Sequence, residues 1–124
     1  MKIELEVLDI SLSIAKVKDD INLLHEVKDA KFISFTRTDE EISLVVDSDQ
    51  LPNHDYVNSG WRALRIAGPL DFSLVGVLQS IIEPLAKNGI SIFSISTFDT
   101  DYILVRQEQL QTAVELLSDE FVVR

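Results

Sequence analysis

Residues 66–105 constrain the fold more than any other part of the chain, because they predict a helix and two strands with almost no spacer between them. Gly68–Pro69 indicates a loop, since proline has no N–H to donate. The residues that follow carry an apolar stripe at helical spacing, formed by Leu74, Val77, Leu78, Ile81, Ile82 and Leu85. Gly89 is suited to the left-handed conformation that ends a helix. Ile90–Thr97 and Tyr102–Val105 then read as strands joined by a polar turn.

Two details of this stretch leave alternatives open. Asp71 or Ser73 can cap the helix, and Pro84 is expected to kink or tighten its last turn. Along the first strand the apolar residues change phase after Ile92. We therefore expect this strand to be covered on both faces, to be bulged, or to be buried in a contact between subunits.

The charge of the chain argues against nucleic acid as a partner. The 11 Lys and Arg against 21 Asp and Glu give a net charge of −10, whereas nucleic-acid binding needs a basic surface that releases counterions. No apolar run reaches the length of about 18 residues that indicates a membrane span. The acidic, alternating start of the chain is unlike a signal peptide, so we expect a cytoplasmic protein. The sequence contains no Cys, which excludes disulfides, thiolate metal sites and thiol nucleophiles.

The first half of the chain predicts a similar but less regular set of elements. Apolar residues alternate in two phases over residues 3–14, and a bulge or bend near Val7–Asp9 would reconcile them. After a short helical segment, Phe32–Phe35 and Ile42–Val46 read as strands on either side of a polar turn. Asp47–Gly60 has no clear period and is a linker or a degenerate short helix. We place a domain boundary there, which gives domains 1–58 and 59–124.

An internal repeat supports this division. With a shift of 60 residues and no gaps, Phe32–Phe35 lies over Ile92–Ile95, and Asp39 lies over Asp99. Residues 110–117 predict a second amphipathic helix in the second half, followed by a short closing strand. Each half therefore reads as strand, helix, strand, hairpin and strand.

The sequence offers no set of residues for catalysis. His25 and His54 are the only histidines, and no Asp or Glu stands at a metal-ligand spacing from them. The serines form no nucleophile elbow, and the glycines form no phosphate-binding loop. We therefore predict no enzyme activity, no cofactor and no metal.

Three carboxylates have both a structural and a binding interpretation. Asp71 can cap a helix, while Asp99 and Asp101 can shape a hairpin. Alternatively, free N–H groups at the helix start suit a ligand carboxylate, and the hairpin carboxylates suit an ammonium group that leaves water. The two ends together describe a free amino acid.

The motifs GPLDFSLVGVL and NGISIFSISTFDTDYILV resemble the ACT-domain family, in particular the tandem-ACT proteins related to the CASTOR amino-acid sensors. The resemblance is specific over about Trp61–Val105. It implies an α+β fold of two tandem ferredoxin-like (βαββαβ) ACT domains, the first of them abbreviated. It also implies a small effector, usually an amino acid, bound at an interface between ACT units.

The resemblance further implies which residues contact the effector. The loop between the first strand and the first helix contributes Pro69, Leu70, Asp71, Phe72 and Ser73. A facing unit contributes the start of its second strand, Ser91 and Ile92. The STFDTD hairpin contributes Thr97, Phe98 and Asp101. The first domain has no GPLDF-like loop, so effector binding there does not follow from the resemblance.

Two functions from different classes are compatible with these features. The leading prediction is a non-enzymatic sensor that binds an amino acid and changes how it contacts a regulated protein partner. The alternative is an assembly module without a ligand. In both cases we expect a homodimer, because an apolar edge strand at Ile90–Ile95 is a liability when it is solvated.

Overall fold

The computed structural model describes residues 3–67 and 76–124 and divides them into two compact units. The first unit is Ile10–Trp61, and the second unit combines the described residues up to Asp9 with those of Arg62–Arg124. These bounds differ from the predicted 1–58 and 59–124, since the start of the chain groups with the second unit. The reason is packing: Leu5 is fully buried in the core of the second unit.

The first unit is an antiparallel sheet with one short helix. Its elements are β2 (Leu12–Val17), α1 (Leu23–Glu26), β3 (Ile33–Arg37), β4 (Ile42–Asp47), a 3₁₀ turn (Ser48–Gln50) and the first part of β5 (Tyr56–Ile66). The strand order β3-β4-β2-β5 is that of a ferredoxin-like unit whose second helix has shrunk to the 3₁₀ turn. The expectation of an abbreviated first unit is therefore confirmed.

The core of the first unit lies under α1. It contains the buried side chains of Ala15, Val17, Leu23, Val27, Leu44 and Val46. Because α1 has a single turn, the neighbouring edge strand is incompletely covered. Ile33 and Phe35 point to the same side as this core by their pairing with β4, yet each remains 40% exposed.

The second unit has two longer helices on one face of its sheet. Its elements are β1 (Glu4–Val7), the last part of β5, α2 (Val77–Lys87), β6 (Ile92–Ser96), β7 (Asp101–Arg106), a 3₁₀ turn (Gln107–Gln109), α3 (Leu110–Leu117) and β8 (Val122–Val123). The strand order is β6-β7-β5-β1-β8. This is a ferredoxin-like order with β1 inserted between the first and last strands, antiparallel to β5 and parallel to β8.

Helical spacing decides which residues form this larger core. Ile81 and Leu85 in α2 and Ala113 and Leu117 in α3 stand four residues apart and are fully buried. Each fully buried large aliphatic side chain contributes about 1.5–3 kcal/mol. The predicted apolar stripe of α2 is confirmed over its described residues, and Leu74 lies outside them.

The end of α2 forms as the sequence predicts. Gly89 has a φ of +72°, its N–H donates to the Ala86 carbonyl at 3.1 Å, and the Ile90 N–H donates to the Leu85 carbonyl at 3.0 Å. These two bonds are the Schellman motif, which satisfies carbonyls at a helix end. Pro84 lies inside α2 as expected, whereas the proposed caps Asp71 and Ser73 lie outside the described residues.

The change of phase within residues 3–14 is a bend and not a bulge, because the chain leaves β1 after Val7, bends at Asp9 and enters β2 only at Leu12. Arg62 holds this break by donating from Nε and Nη2 to the Leu8 carbonyl at 3.2 and 2.8 Å. In the region Asp47–Gly60, the predicted degenerate short helix corresponds to the 3₁₀ turn Ser48–Gln50, whereas the residues from Tyr56 onwards belong to β5 and are not a linker.

The internal repeat exists with a shift of 59 residues rather than 60. Two strands and a 3₁₀ turn of the first unit correspond at this shift to Ile92–Ser96, Asp101–Arg106 and Gln107–Gln109. The shift of 59 changes which residues of the two units correspond, because a slip of one residue moves a side chain to the other face of a sheet. Asp101 corresponds to Ile42 and Phe98 to Asp39, while Thr97 corresponds to Thr38.

Candidate functional site

The predicted effector loop lies outside the described part of the chain. Pro69, Leu70, Asp71, Phe72 and Ser73 all fall within residues 68–75. Their role in binding stays a prediction. The described residues on either side are Ala67, which follows the end of β5, and Gly76, which precedes α2.

The strand β6 carries site residues near both of its ends. Ser91 is exposed just before the strand, and Ile92 packs partly buried against the helix-side core. Thr97 follows the strand at its other end. Since a strand rises about 3.3 Å per residue, Ile92 and Ser96 are about 13 Å apart. One copy of the chain therefore does not bring Ser91 and Ile92 together with the hairpin.

The register of β6 with β7 explains the change of phase in the sequence. The pairing runs without interruption from Ile92 with Val105 to Ser96 with Asp101, so β6 is not bulged. Ile92 faces the helices, and by alternation Phe93 and Ile95 face the other side. All three are partly buried. The strand is therefore apolar on both faces and lies at the edge of its sheet.

A compact four-residue turn joins β6 to β7. The Thr97 N–H donates to the Thr100 carbonyl at 2.8 Å, and the Thr97 hydroxyl donates to the same oxygen at 3.1 Å. The ring of Phe98 stands at the tip of the turn and is 81% exposed. Asp101 is half-buried at the start of β7, where its Oδ1 accepts from the Ser96 hydroxyl at 2.5 Å. The structure thus brings Thr97, Phe98 and Asp101 together in one hairpin.

Thr100 anchors this hairpin to the strand that leads into the predicted loop. Its side chain is only 4% exposed, and its hydroxyl donates to the Ile66 carbonyl at 2.7 Å. The neighbouring Ala67 N–H donates to the Glu4 carbonyl at 2.9 Å. The end of β5 is therefore held by the hairpin and by β1. Sequence reasoning treated Thr100 only as a turn residue, because nothing local distinguishes a buried threonine in a hydrophilic turn from an exposed one.

The hairpin of the first unit repeats the turn but not its anchor. The Thr38 N–H donates to the Glu41 carbonyl at 2.9 Å, and the Glu41 N–H donates to the Thr38 hydroxyl at 3.2 Å. Beside it lies an open cavity of about 320 Å³, lined by the end of β2, the hairpin and Asp55. Arg37 Nη1 lies 2.8 Å from Asp20 Oδ2 at the surface. Exposed pairs of this kind contribute little stability.

Over residues 3–67 and 76–124, no group of three or more His, Asp or Glu side chains is placed to hold a metal ion. In the same part of the chain, no helix combines the length and apolar character needed to cross a membrane.

The strand orders define the chain as a tandem of ferredoxin-like modules. The family model described as "ACT domain" matches residues 56–119, just over half of the 124 residues. The chain therefore belongs to the ACT-domain family, and the resemblance to the CASTOR sensors is confirmed by its relatives.

Those relatives are longer than this chain. The cytosolic arginine sensor for mTORC1 subunit 1 of Bos taurus is 31% identical in an alignment of length 102 that covers 73% of this chain and 31% of that protein. The human protein CASTOR3P is 34% identical in an alignment of length 106 that covers 75% of this chain and 65% of that protein. The chain thus spans about a third of the first and just under two thirds of the second.

Solved structures agree with the fold over the whole chain. Protein Atu0741 from Agrobacterium tumefaciens is 35% identical, with a TM-score of 0.86 over 100% of this chain and 95% of its own. The regulatory subunit of aspartate kinase from Thermus thermophilus has a TM-score of 0.69 over 94% of this chain and 96% of its own, at 10% identity. The second likeness shows the fold alone. The words sensor and regulatory subunit are part of the names of these other proteins.

Proposed function

We propose that the chain is an amino-acid sensor, and that its effector binds at the hairpin of the second unit together with residues 69–73. The observation that carries the proposal is the position of Asp101. Its half-buried carboxylate lies in a hairpin that is anchored, through Thr100, to the strand leading into the predicted loop. A carboxylate in such a place can compensate an ammonium or guanidinium group that leaves water.

The effector site is completed, in this proposal, by a second copy of the chain. Ser91 and Ile92 lie at the opposite end of β6 from the hairpin, so one copy cannot supply both. Antiparallel pairing of two β6 edges would bring the start of one strand beside Thr97 of the other. It would also set Phe93 of one copy opposite Ile95 of the other, so that these apolar side chains pack across the two strands.

Arginine is the first effector to test. Relatives of this chain are named as arginine sensors, and Asp101 offers the charge that a guanidinium pairs with. The effector would alter how the dimer contacts a regulated protein partner. We place this activity in the cytoplasm, because the same relatives are named cytosolic.

A calorimetric and thermal-shift panel of the twenty amino acids tests this proposal. Binding of at least one amino acid is expected, and a ligand at 100 times its dissociation constant stabilises the fold by about 2.7 kcal/mol. If none of the twenty produces heat or a thermal shift, the sensor is excluded. The remaining candidate is then an assembly module, which the uncharged edge strand β6 favours.

Asp101→Asn tests the role of the carboxylate in that site. Asparagine suits a turn as well as aspartate does, so the fold should persist while affinity falls by about 1.5–3 kcal/mol, or roughly 10- to 150-fold. Ser96→Ala is the matched control, because it removes the 2.5 Å hydrogen bond to Asp101 and leaves the charge in place. Equal affinities for Asp101→Asn and wild type would remove Asp101 from the site. Phe98→Ala tests separately whether the Phe98 ring forms an apolar wall of the effector site.

A further inference from the structure

We infer that Thr100 is a positioning residue for the effector site and that each chain carries one such site, in its second unit. The inference rests on the proposed function, because it concerns how the hairpin residues are held for the effector. Thr100 itself faces away from solvent, at 4% exposure, so its hydroxyl acts on the hairpin and not on a ligand.

Thr100 makes a hydrogen bond that ties the hairpin to a distant strand. A buried hydroxyl donates at 2.7 Å to the carbonyl of Ile66, which is 34 residues away in sequence. Ile66 pairs with Leu5 in the centre of the sheet, and both side chains are fully buried. The hairpin is thereby tied to one of the most tightly packed places of the second unit, although its turn is at the surface.

The hairpins of the two units can be compared residue by residue. Both turns close with the same bond, from Thr38 to the Glu41 carbonyl in one and from Thr97 to the Thr100 carbonyl in the other, at 2.9 and 2.8 Å. At the shift of 59 residues, Glu41 takes the position of Thr100. Ile42, which follows Glu41, pairs with Val17 at the end of β2. The hairpin of the first unit therefore also lies beside a strand end, that of β2.

The side-chain chemistry of Glu41 and Thr100 distinguishes the first unit from the second. An ionised glutamate only accepts hydrogen bonds, so Glu41 cannot donate to a strand carbonyl. Glu41 is also exposed, whereas Thr100 is buried. The other effector-contact positions differ as well, since Asp39 stands for Phe98 and Ile42 for Asp101. The hydroxyl anchor and the carboxylate thus occur together in the second unit only.

An anchored hairpin binds more tightly because less ordering is needed when the ligand arrives. Without the anchor, Thr97 and Asp101 would keep their local turn but would be held less firmly relative to the end of β5. We therefore expect loss of the Thr100 hydroxyl to weaken effector binding even though it contacts no ligand.

The test compares Thr100→Val, which keeps the shape and removes the hydroxyl, with Thr100→Ser, which keeps the hydroxyl. Thr38→Val is a control, because it removes a threonine hydroxyl from the turn of the first unit, at the position that corresponds to Thr97 and not to Thr100. We expect calorimetry with the amino acid that binds wild type to show one site per chain and an affinity about tenfold weaker for Thr100→Val. Thr100→Ser should remain within about twofold of wild type, and Thr38→Val should equal it.

Amide hydrogen exchange provides a second readout that needs no ligand. The N–H groups of Thr97 and Thr100 should exchange faster in Thr100→Val than in wild type, and Thr38→Val should leave them unchanged. Unchanged affinity in Thr100→Val, or two sites per chain, overturns the inference. If wild type binds none of the twenty amino acids, the proposed function fails, and unchanged exchange in Thr100→Val then overturns the anchor as well.

Discussion

Asp47 shows how much of the first unit depends on one side chain. Its carboxylate is 6% exposed and accepts from the N–H groups of Lys31 and Phe32, both at 2.9 Å. These two amides lead into the edge strand β3. A buried carboxylate is costly unless it is hydrogen-bonded, and here each oxygen has a backbone donor. Asp47 therefore holds the entry of β3 against the end of β4.

Asp47→Ala should destabilise the protein, because it leaves two partly buried N–H groups without their acceptor. Hydrogen bonds to charged groups contribute about 1.5–3 kcal/mol each, so we expect the free energy of unfolding to fall by at least about 1.5 kcal/mol. Urea denaturation measures this change. Asp49→Ala, at an exposed position of the following 3₁₀ turn, should stay within about 0.5 kcal/mol of wild type. Equal stability of the two variants would contradict the role given to Asp47.

At the scale of an element, the end of α2 is decided by a single residue. Gly89 adopts a φ of +72°, and a Cβ built there would meet no atom within 4 Å. The obstacle to a side chain is therefore the backbone conformation and not a steric clash. In the left-handed region a residue with a Cβ costs about 1–2 kcal/mol, and asparagine tolerates this region better than most.

Gly89→Ala should therefore lower the free energy of unfolding by about 1–2 kcal/mol, while Gly89→Asn should lose less. Thermal or urea denaturation of the two variants beside wild type checks both expectations. If Gly89→Asn lost as much free energy of unfolding as Gly89→Ala, something other than the left-handed backbone would decide which residue is tolerated at this position.

At the scale of the whole molecule, the edge strands suggest how copies of the chain associate, and β3 and β6 are longer than the two-residue edge strand β8. β6 carries no charged residue, whereas β3 ends in Arg37. Charged side chains on an edge strand oppose pairing with another chain, and their absence permits it. β6 is therefore the edge at which we expect a second copy.

Ile95→Lys should prevent this pairing by placing a charge on the uncharged edge. The chain has a mass of 14.0 kDa, so light scattering at micromolar concentration should give about twice this value for wild type and the monomer value for the variant. Thr36→Lys is the control, since Thr36 takes the place of Ile95 in the first unit, and it should remain dimeric. A wild-type monomer, with and without effector, would overturn the predicted dimer.

The local features of the fold were predictable where neighbours in sequence decide them. The stripe of α2, the stop at Gly89, the two hairpins and the tandem plan all follow from spacing and turn chemistry that the tertiary structure did not override. The hairpin residues Thr97, Phe98 and Asp101 were predicted from the resemblance to the ACT-domain family, and the tight turn brings them close in the structure.

Pairing between distant strands was decided by tertiary structure alone. No feature of residues 3–7 predicts that β1 inserts between β5 and β8. A strand with alternating apolar residues can join any sheet that has one apolar face. The shift of the repeat was misjudged by one residue for a related reason: similar residue types align at 59 or 60, and only the hydrogen-bonded ladder separates the two. Thr100 became an anchor through a carbonyl 34 residues away. The sequence by itself determined the elements and the family, while the fold decided which strand ends and hairpins meet, because those contacts join residues far apart in the chain.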